Sequence, residues 1–328
     1  MLVQSLFLIF GVILAVIAAK YLVSGAISIA KKFEIPEFVI GTFIIGFGTS
    51  LPEFTVNIQA ALSHNTDLAI ANILGSNLFN TCITLGAVGL SGKLMINSDV
   101  KIKDTPYNLI AAVMIGVCGN QLYFDNVQYH QLMMSHSIIF LIFFSIYIYY
   151  TLLEVKQEAT HKFPLHSQHH EALHNKLKID AFIPFVKVIL GLVGLIIGGE
   201  LIVNSAEKIA LLMGLSTKLV GLLIVGPGTS IPELIASIAA LRAKSTALIL
   251  GNVLGSNIFN VFLTLGITAA IQPVPLDFSL NQAVLFNILA AALLTITFWF
   301  TAAKKITRLT SALLILIYAV YLGLALTS

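Results

Sequence analysis

Apolar residues run along this chain in blocks of about 20, the length that carries a helix across the hydrocarbon of a bilayer. Ten such blocks predict ten spans. Five lie at roughly 2–29, 36–62, 67–90, 106–122 and 127–152, and five more at 181–207, 216–241, 246–270, 279–302 and 306–326. The only long polar stretch, 153–180, separates the two sets and holds five of the eight histidines, His161, His166, His169, His170 and His174. The predicted organisation is a first five-helix unit over 1–152, a histidine-rich linker over 153–180, and a second five-helix unit over 181–328.

Composition agrees. The 328 residues are 58% hydrophobic and 10% charged, with a mean hydropathy of +0.96. A soluble chain carries about a quarter of its residues as charges, so the solvent here is lipid. A net charge of +3 is too small and too scattered for a nucleic-acid partner. Cys82 and Cys118 sit in apolar runs and imply no disulfide scaffold. The first block lacks a basic leader and a small-residue cleavage site before Lys20, which predicts a permanent span rather than a signal peptide. With the N-terminus outside, only Lys208 and Lys218 of the eighteen basic residues miss the cytoplasmic connections and their flanks. Both termini are then outside and 153–180 is cytoplasmic.

The two sets repeat one another. Residues 46–53 read GFGTSLPE and 226–233 read GPGTSIPE; residues 72–80 read NILGSNLFN and 252–260 read NVLGSNIFN. The offset is the same in both cases (233 − 53 = 180; 260 − 80 = 180). Five spans is an odd number, so the second copy enters the membrane from the opposite face. The expected fold is an all-α polytopic membrane protein of ten helices in two inverted five-helix repeats. Such repeats build secondary transporters, whose substrate sits near the midplane between the copies.

Inside a bilayer the repeated residues are chemically expensive. Gly46, Gly48 and Pro52 weaken a helix, and Pro52 also removes a backbone donor. The freed carbonyls cannot face lipid. A break near Thr49–Ser50 is expected, repeated at Thr229–Ser230, with Glu53 and Glu233 in the first turn of the half-helix that follows. An intramembrane carboxylate is rare and usually functional. On the next span Ser76 and Asn80 share one helix face, as do Ser256 and Asn260. The donors are oxygens throughout, which suits Ca²⁺ and Na⁺ better than zinc or copper.

The doubled GTS-x-PE and GSN-x-FN blocks resemble the alpha repeats of the cation/calcium exchanger superfamily, in particular bacterial sodium/calcium antiporters. The resemblance covers essentially the whole chain. It implies a site between spans 2, 3, 7 and 8, with long spans 1 and 6 sliding against that core. Ca²⁺ would be held by Glu53, Glu233 and the carbonyls of Thr49 and Thr229. Flanking Na⁺ would use Ser50 with Ser76 and Ser230 with Ser256, and the carbonyls of Gly46 and Gly226 would complete the set. Asn80 and Asn260 would stand between the glutamates. Many relatives carry Asp at the second of these; Asn in both copies leaves two carboxylates, which argues against a potassium-dependent subtype. The calcium/proton branch usually has a further glutamate. The implied function is Na⁺/Ca²⁺ antiport in a bacterial inner membrane, with Ca²⁺/H⁺ antiport as the alternative.

No catalytic residue and no cofactor are expected. Ser50 and Ser230 have no histidine on nearby spans to act as a base. No obligatory protein partner is evident, and the expected partners are the two ions and the bilayer. Plainer roles also exist: the serines as small interface residues, Asn77 and Asn257 as structural groups, Glu200 and Glu207 as interfacial carboxylates, and the histidines as a solvated loop.

Overall fold

The computed structural model describes all residues except 92–93, 95–102, 121–130, 163–169, 216–222, 225, 277–279, 301–304 and 328, together with the side chains of 156–181 and Thr327. The first half runs α1 (Leu2–Phe33), α2 (Glu37–Ile40), α3 (Phe47–Thr49), α4 (Leu51–Leu62), α5 (Thr66–Phe79), α6 (Leu85–Gly89) and α7 (Thr105–Gly119). It ends with β1 (Gln131–Leu132) and α8 (Met134–Lys162). The second half runs α9 (His170–Leu212), α10 (Gly226–Gly228), α11 (Ile231–Arg242), α12 (Thr246–Ile258), α13 (Gly266–Ile271), β2 (Val274–Pro275), α14 (Leu280–Phe300) and α15 (Arg308–Thr327). Widened π-helical turns link α2 to α3 (Gly41–Gly46), α5 to α6 (Asn80–Thr84) and α12 to α13 (Phe259–Leu265).

Among the described residues seven helical runs are long and apolar enough to span a bilayer, eight if the pair Glu37–Thr49 and Leu51–Leu62, bent by 47°, counts as one. Thr105–Gly119 is apolar but only 15 residues long. The expected span at 216–241 lies partly outside the described residues.

Two expected boundaries move. In the described part of the block from 127, which starts at Gln131, the helix begins at Met134, because Gln131 and Leu132 pair with Pro275 and Val274 in a short antiparallel ladder. Apolar runs alone do not separate such a strand from a helix start. The linker 153–180 is largely helical in its backbone, since α8 continues to Lys162 and α9 begins at His170. Its Ala, Leu, Glu and Lys content favours that outcome. The five histidine side chains lie outside the described residues.

Burial separates core helices from peripheral ones. In the most apolar stretch of the α12–α13 run 94% of residues are buried, and 72% in α5–α6, against 22% in α1. The two interior runs are therefore the ones that carry the second repeated motif. Around them, α1 and α9 pack antiparallel through small residues. A Cβ on Gly191 would fall 2.5 Å from the backbone nitrogen of Leu22, and one on Gly198 would fall 2.8 Å from Ala15 Cβ. Backbones approach this closely only where a side chain is missing. The same α9 closes on both breaks, with Leu192 against Gly48 and Val203 against Gly228.

Charge anchors the other flank. Lys103 donates to Glu154 Oε2 (2.6 Å) and to the Thr151 hydroxyl (2.9 Å), and the Tyr147 hydroxyl donates to buried Asp104 (2.9 Å). These contacts clamp the start of α7 onto α8.

Candidate functional site

Both GTS-x-PE segments break in the same way. Ser50 has φ −85°, ψ 5° and Ser230 has φ −91°, ψ 5°, outside the helical well, and Pro52 and Pro232 open the next helix. Proline suits that position because its missing N–H would be unpaired there anyway. The Ser50 N–H donates to the Gly46 carbonyl (3.1 Å), whereas the Ser230 N–H donates to the Pro227 carbonyl (3.1 Å), a tighter turn in the copy with the extra proline. Glu53 and Glu233 follow in the first turns of α4 and α11, where the helix dipole favours a carboxylate.

The glutamates are fully buried, and each is held by the other copy. The Ser50 hydroxyl donates to Glu233 Oε1 (3.1 Å) and the Ser230 hydroxyl donates to Glu53 Oε1 (3.3 Å). Both carboxylates thus reach across to the opposite break and converge on one interior space. The second oxygen of each, Oε2, has no hydrogen-bond partner. Buried carboxylate oxygens without donors are costly, and a hard cation is the chemistry that complements them. Among the described residues no cluster of three or more His, Cys, Asp or Glu exists.

Neutral oxygens surround the pair. Ser76 Oγ lies 3.2 Å from Thr229 Oγ1, and Ser256 donates to the Gly46 carbonyl (3.0 Å). That carbonyl therefore accepts from the Ser50 N–H, the Ser256 hydroxyl and, at 3.3 Å, the Thr49 hydroxyl. Thr49 donates to the Ile45 carbonyl (2.9 Å), and Gly226 opens α10. Asn80 and Asn260 are fully buried at the π-helical turns; both amide atoms of Asn80 and the Oδ1 of Asn260 are unpartnered, while Asn260 Nδ2 donates to Asn77 Oδ1 (3.0 Å). Such turns recur at functional sites.

An outer layer of amides escaped the sequence reading. Thr229 donates to Asn72 Oδ1 (3.4 Å), and Asn72 donates to Asn57 Oδ1 (2.8 Å). In the other copy Thr49 Oγ1 lies 3.3 Å from Asn252 Oδ1, and Asn252 donates to Ser237 Oγ (2.9 Å) and to the Glu233 carbonyl (3.0 Å). The signal was present. Asn72 and Asn252 precede Ser76 and Ser256 by four residues, while Asn57 and Ser237 follow the glutamates by four, all at the offset of 180. Asn77 and Asn257 join the two interior helices: Asn77 donates to the Asn257 carbonyl (3.3 Å) and Asn257 to the Thr81 hydroxyl (2.8 Å).

A cavity of about 460 Å³ leads from the surface to Thr229, between α4 and α9. Gln59, Thr55, Glu200 and Asn204 line it. Glu200, expected at the membrane interface, here faces that passage.

The sequence model of a family described as sodium/calcium exchanger protein matches residues 3–153 and 183–327. Inner membrane protein YrbG of Escherichia coli is 33% identical over 279 residues, covering 84% of this chain and 82% of its own. Sodium/calcium exchanger MaX1 of Methanosarcina acetivorans is 26% identical over 345 residues, covering 98% and 97%. Among solved structures, the sodium-calcium exchanger NCX_Mj soaked with 10 mM Na⁺ and zero Ca²⁺ superposes with a TM-score of 0.81 at 26% identity, covering 98% of this chain and 99% of that one.

Proposed function

The chain belongs to the sodium/calcium exchanger family, a group of multi-pass membrane proteins, and from that premise we propose that it exchanges Na⁺ for Ca²⁺ at the site between the two helix breaks. A cation/Ca²⁺ antiporter is the reading common to the family match and the structural neighbours. The observation that carries the assignment of the site is the reciprocal hold of each glutamate by the other copy's serine, with the second oxygen of each carboxylate left bare.

On this reading Glu53 and Glu233, with the carbonyls of Thr49 and Thr229, bind Ca²⁺. Ser50 with Ser76, and Ser230 with Ser256, hold Na⁺ on either side, helped by the carbonyls of Gly46 and Gly226. Asn80 and Asn260 complete the oxygen cage without adding charge. Two carboxylates balance one Ca²⁺, and the same two oppose several Na⁺, so the ions compete. An empty, dehydrated pair of carboxylates would cost several kcal/mol per charge. That penalty blocks switching by the unloaded carrier and couples the fluxes. Ten spans in two inverted repeats give the two access routes, and α1 with α9 slides to open one or the other. Glu200 draws cations into the outer passage. With both termini outside, inward Na⁺ flow expels Ca²⁺.

The test is ⁴⁵Ca²⁺ uptake into vesicles loaded with Na⁺, K⁺ or acid in separate arms. Uptake is expected from the Na⁺ gradient alone and is expected to disappear, by at least a hundredfold, in Glu53→Gln and in Glu233→Gln. Uptake driven by pH without Na⁺ would instead select the Ca²⁺/H⁺ mechanism, and undiminished uptake in both variants would remove the site from transport.

A further inference from the structure

A second cavity, also of about 460 Å³, lies between α1 and α11. It is the mirror mate of the outer passage. Lys20 lines it where Glu200 lines the other (200 − 20 = 180), and Ile235 and Ala239 replace Thr55 and Gln59 at the same offset. The lining chemistry is inverted. Where the outer passage has a carboxylate and polar neighbours and reaches Thr229, this one has two cations, Lys20 and Arg242, above apolar walls, and none of the oxygen donors of the ion site borders it.

Positive charge at its mouth repels the ions that the outer passage attracts, and no oxygen of the ion site borders it, so in this conformer the inner cleft is not an ion path. Lys20 and Arg242 are exposed, and neither has an ion-pair partner among the described residues. Ser24 adds a hydroxyl beside them. Val16, Ile235 and Ile238 provide a surface that only hydrocarbon matches. Two basic heads over an apolar groove complement an anion joined to an acyl chain.

We propose that the cleft between α1 and α11 binds one anionic phospholipid, its phosphate held by Lys20 and Arg242 and its chain laid along Ile235 and Ile238. The lipid would wedge α1 against α11 and so favour the conformer in which only the opposite, Glu200-lined passage is open. Simple snorkelling of two basic residues to the headgroup layer would discriminate neither lipid class nor groove shape.

Native mass spectrometry of the purified full chain tests this independently of transport. After exchange into phosphatidylglycerol or phosphatidylcholine of identical chains, one phosphatidylglycerol is expected to be retained in preference. Each of Lys20→Gln and Arg242→Gln is expected to weaken retention about fivefold and the pair about thirtyfold. Ile238→Trp, which fills the groove and keeps both charges, should also release the lipid, whereas Lys208→Ala should retain it. Should the double variant fail to fold, the two single variants carry the measurement. Equal retention of the two lipids, or retention unchanged by Ile238→Trp, would overturn the proposal. Displacement by glycerol phosphate as effectively as by the lipid would overturn it too, since it would mark a site for a small anion.

Discussion

Ser50 and Ser230 reach past their own glutamates to bond the partner copy's, 183 and 177 residues away in sequence. The duplicated GTS-x-PE blocks identify all four residues, but which serine meets which glutamate depends on how two breaks face one another, and no one-dimensional pattern contains that. The outer amides were hidden for a different reason. An asparagine in a buried helix reads as a packing group until its acceptor is known. Asn252 donates to the Glu233 carbonyl and to Ser237 together, so Asn252→Ala removes two buried hydrogen bonds. A loss of about 2 kcal/mol is expected, seen as a lower thermal midpoint of the purified protein. Full stability in that variant would show the amide to be dispensable.

Helices were easier to foresee than their ends. The glycine and proline positions predict the break at Thr49–Ser50, and the bend of 47° lies there. Met134 as the start of α8 was not readable, because Gln131–Leu132 is fixed by a ladder to a segment 143 residues away (274 − 131). The helical extensions into 153–180 were masked by their polarity, which for a membrane chain reads first as loop. The α1–α9 pair tests how tightly the elements are fitted. At Gly198 a new Cβ meets Ala15 backbone atoms at 2.9 and 3.0 Å, whereas at Gly323 nothing lies within 4 Å. Gly198→Val is expected to destabilise by about 3 kcal/mol, and Gly323→Ala to be neutral or slightly stabilising, both read by thermal unfolding in detergent. Similar melting of the two variants would mean that the helix pair adapts and that its close approach is not required.

For the whole molecule, the charge distribution predicts orientation. In a background lacking Cys82 and Cys118, Ser5→Cys should react with a membrane-impermeant thiol reagent added to intact cells, and Lys32→Cys should react only after lysis. The reverse pattern would invert the chain and, with it, the direction assigned to each passage. Part of the global plan was legible because duplication writes it twice: the break positions and the helix face carrying the oxygens recur at one spacing. The contrast between the two cavities was not, since Lys20 and Glu200 carry no motif and their equivalence emerges only when two clefts of like shape are compared.

The crossed serine–glutamate bonds also bear on ancestry. Neither half contains a finished cage: each supplies a carboxylate that the other must clasp. On the proposed inverted topology, a precursor of half this length would have needed a second copy inserted the other way up to complete the site.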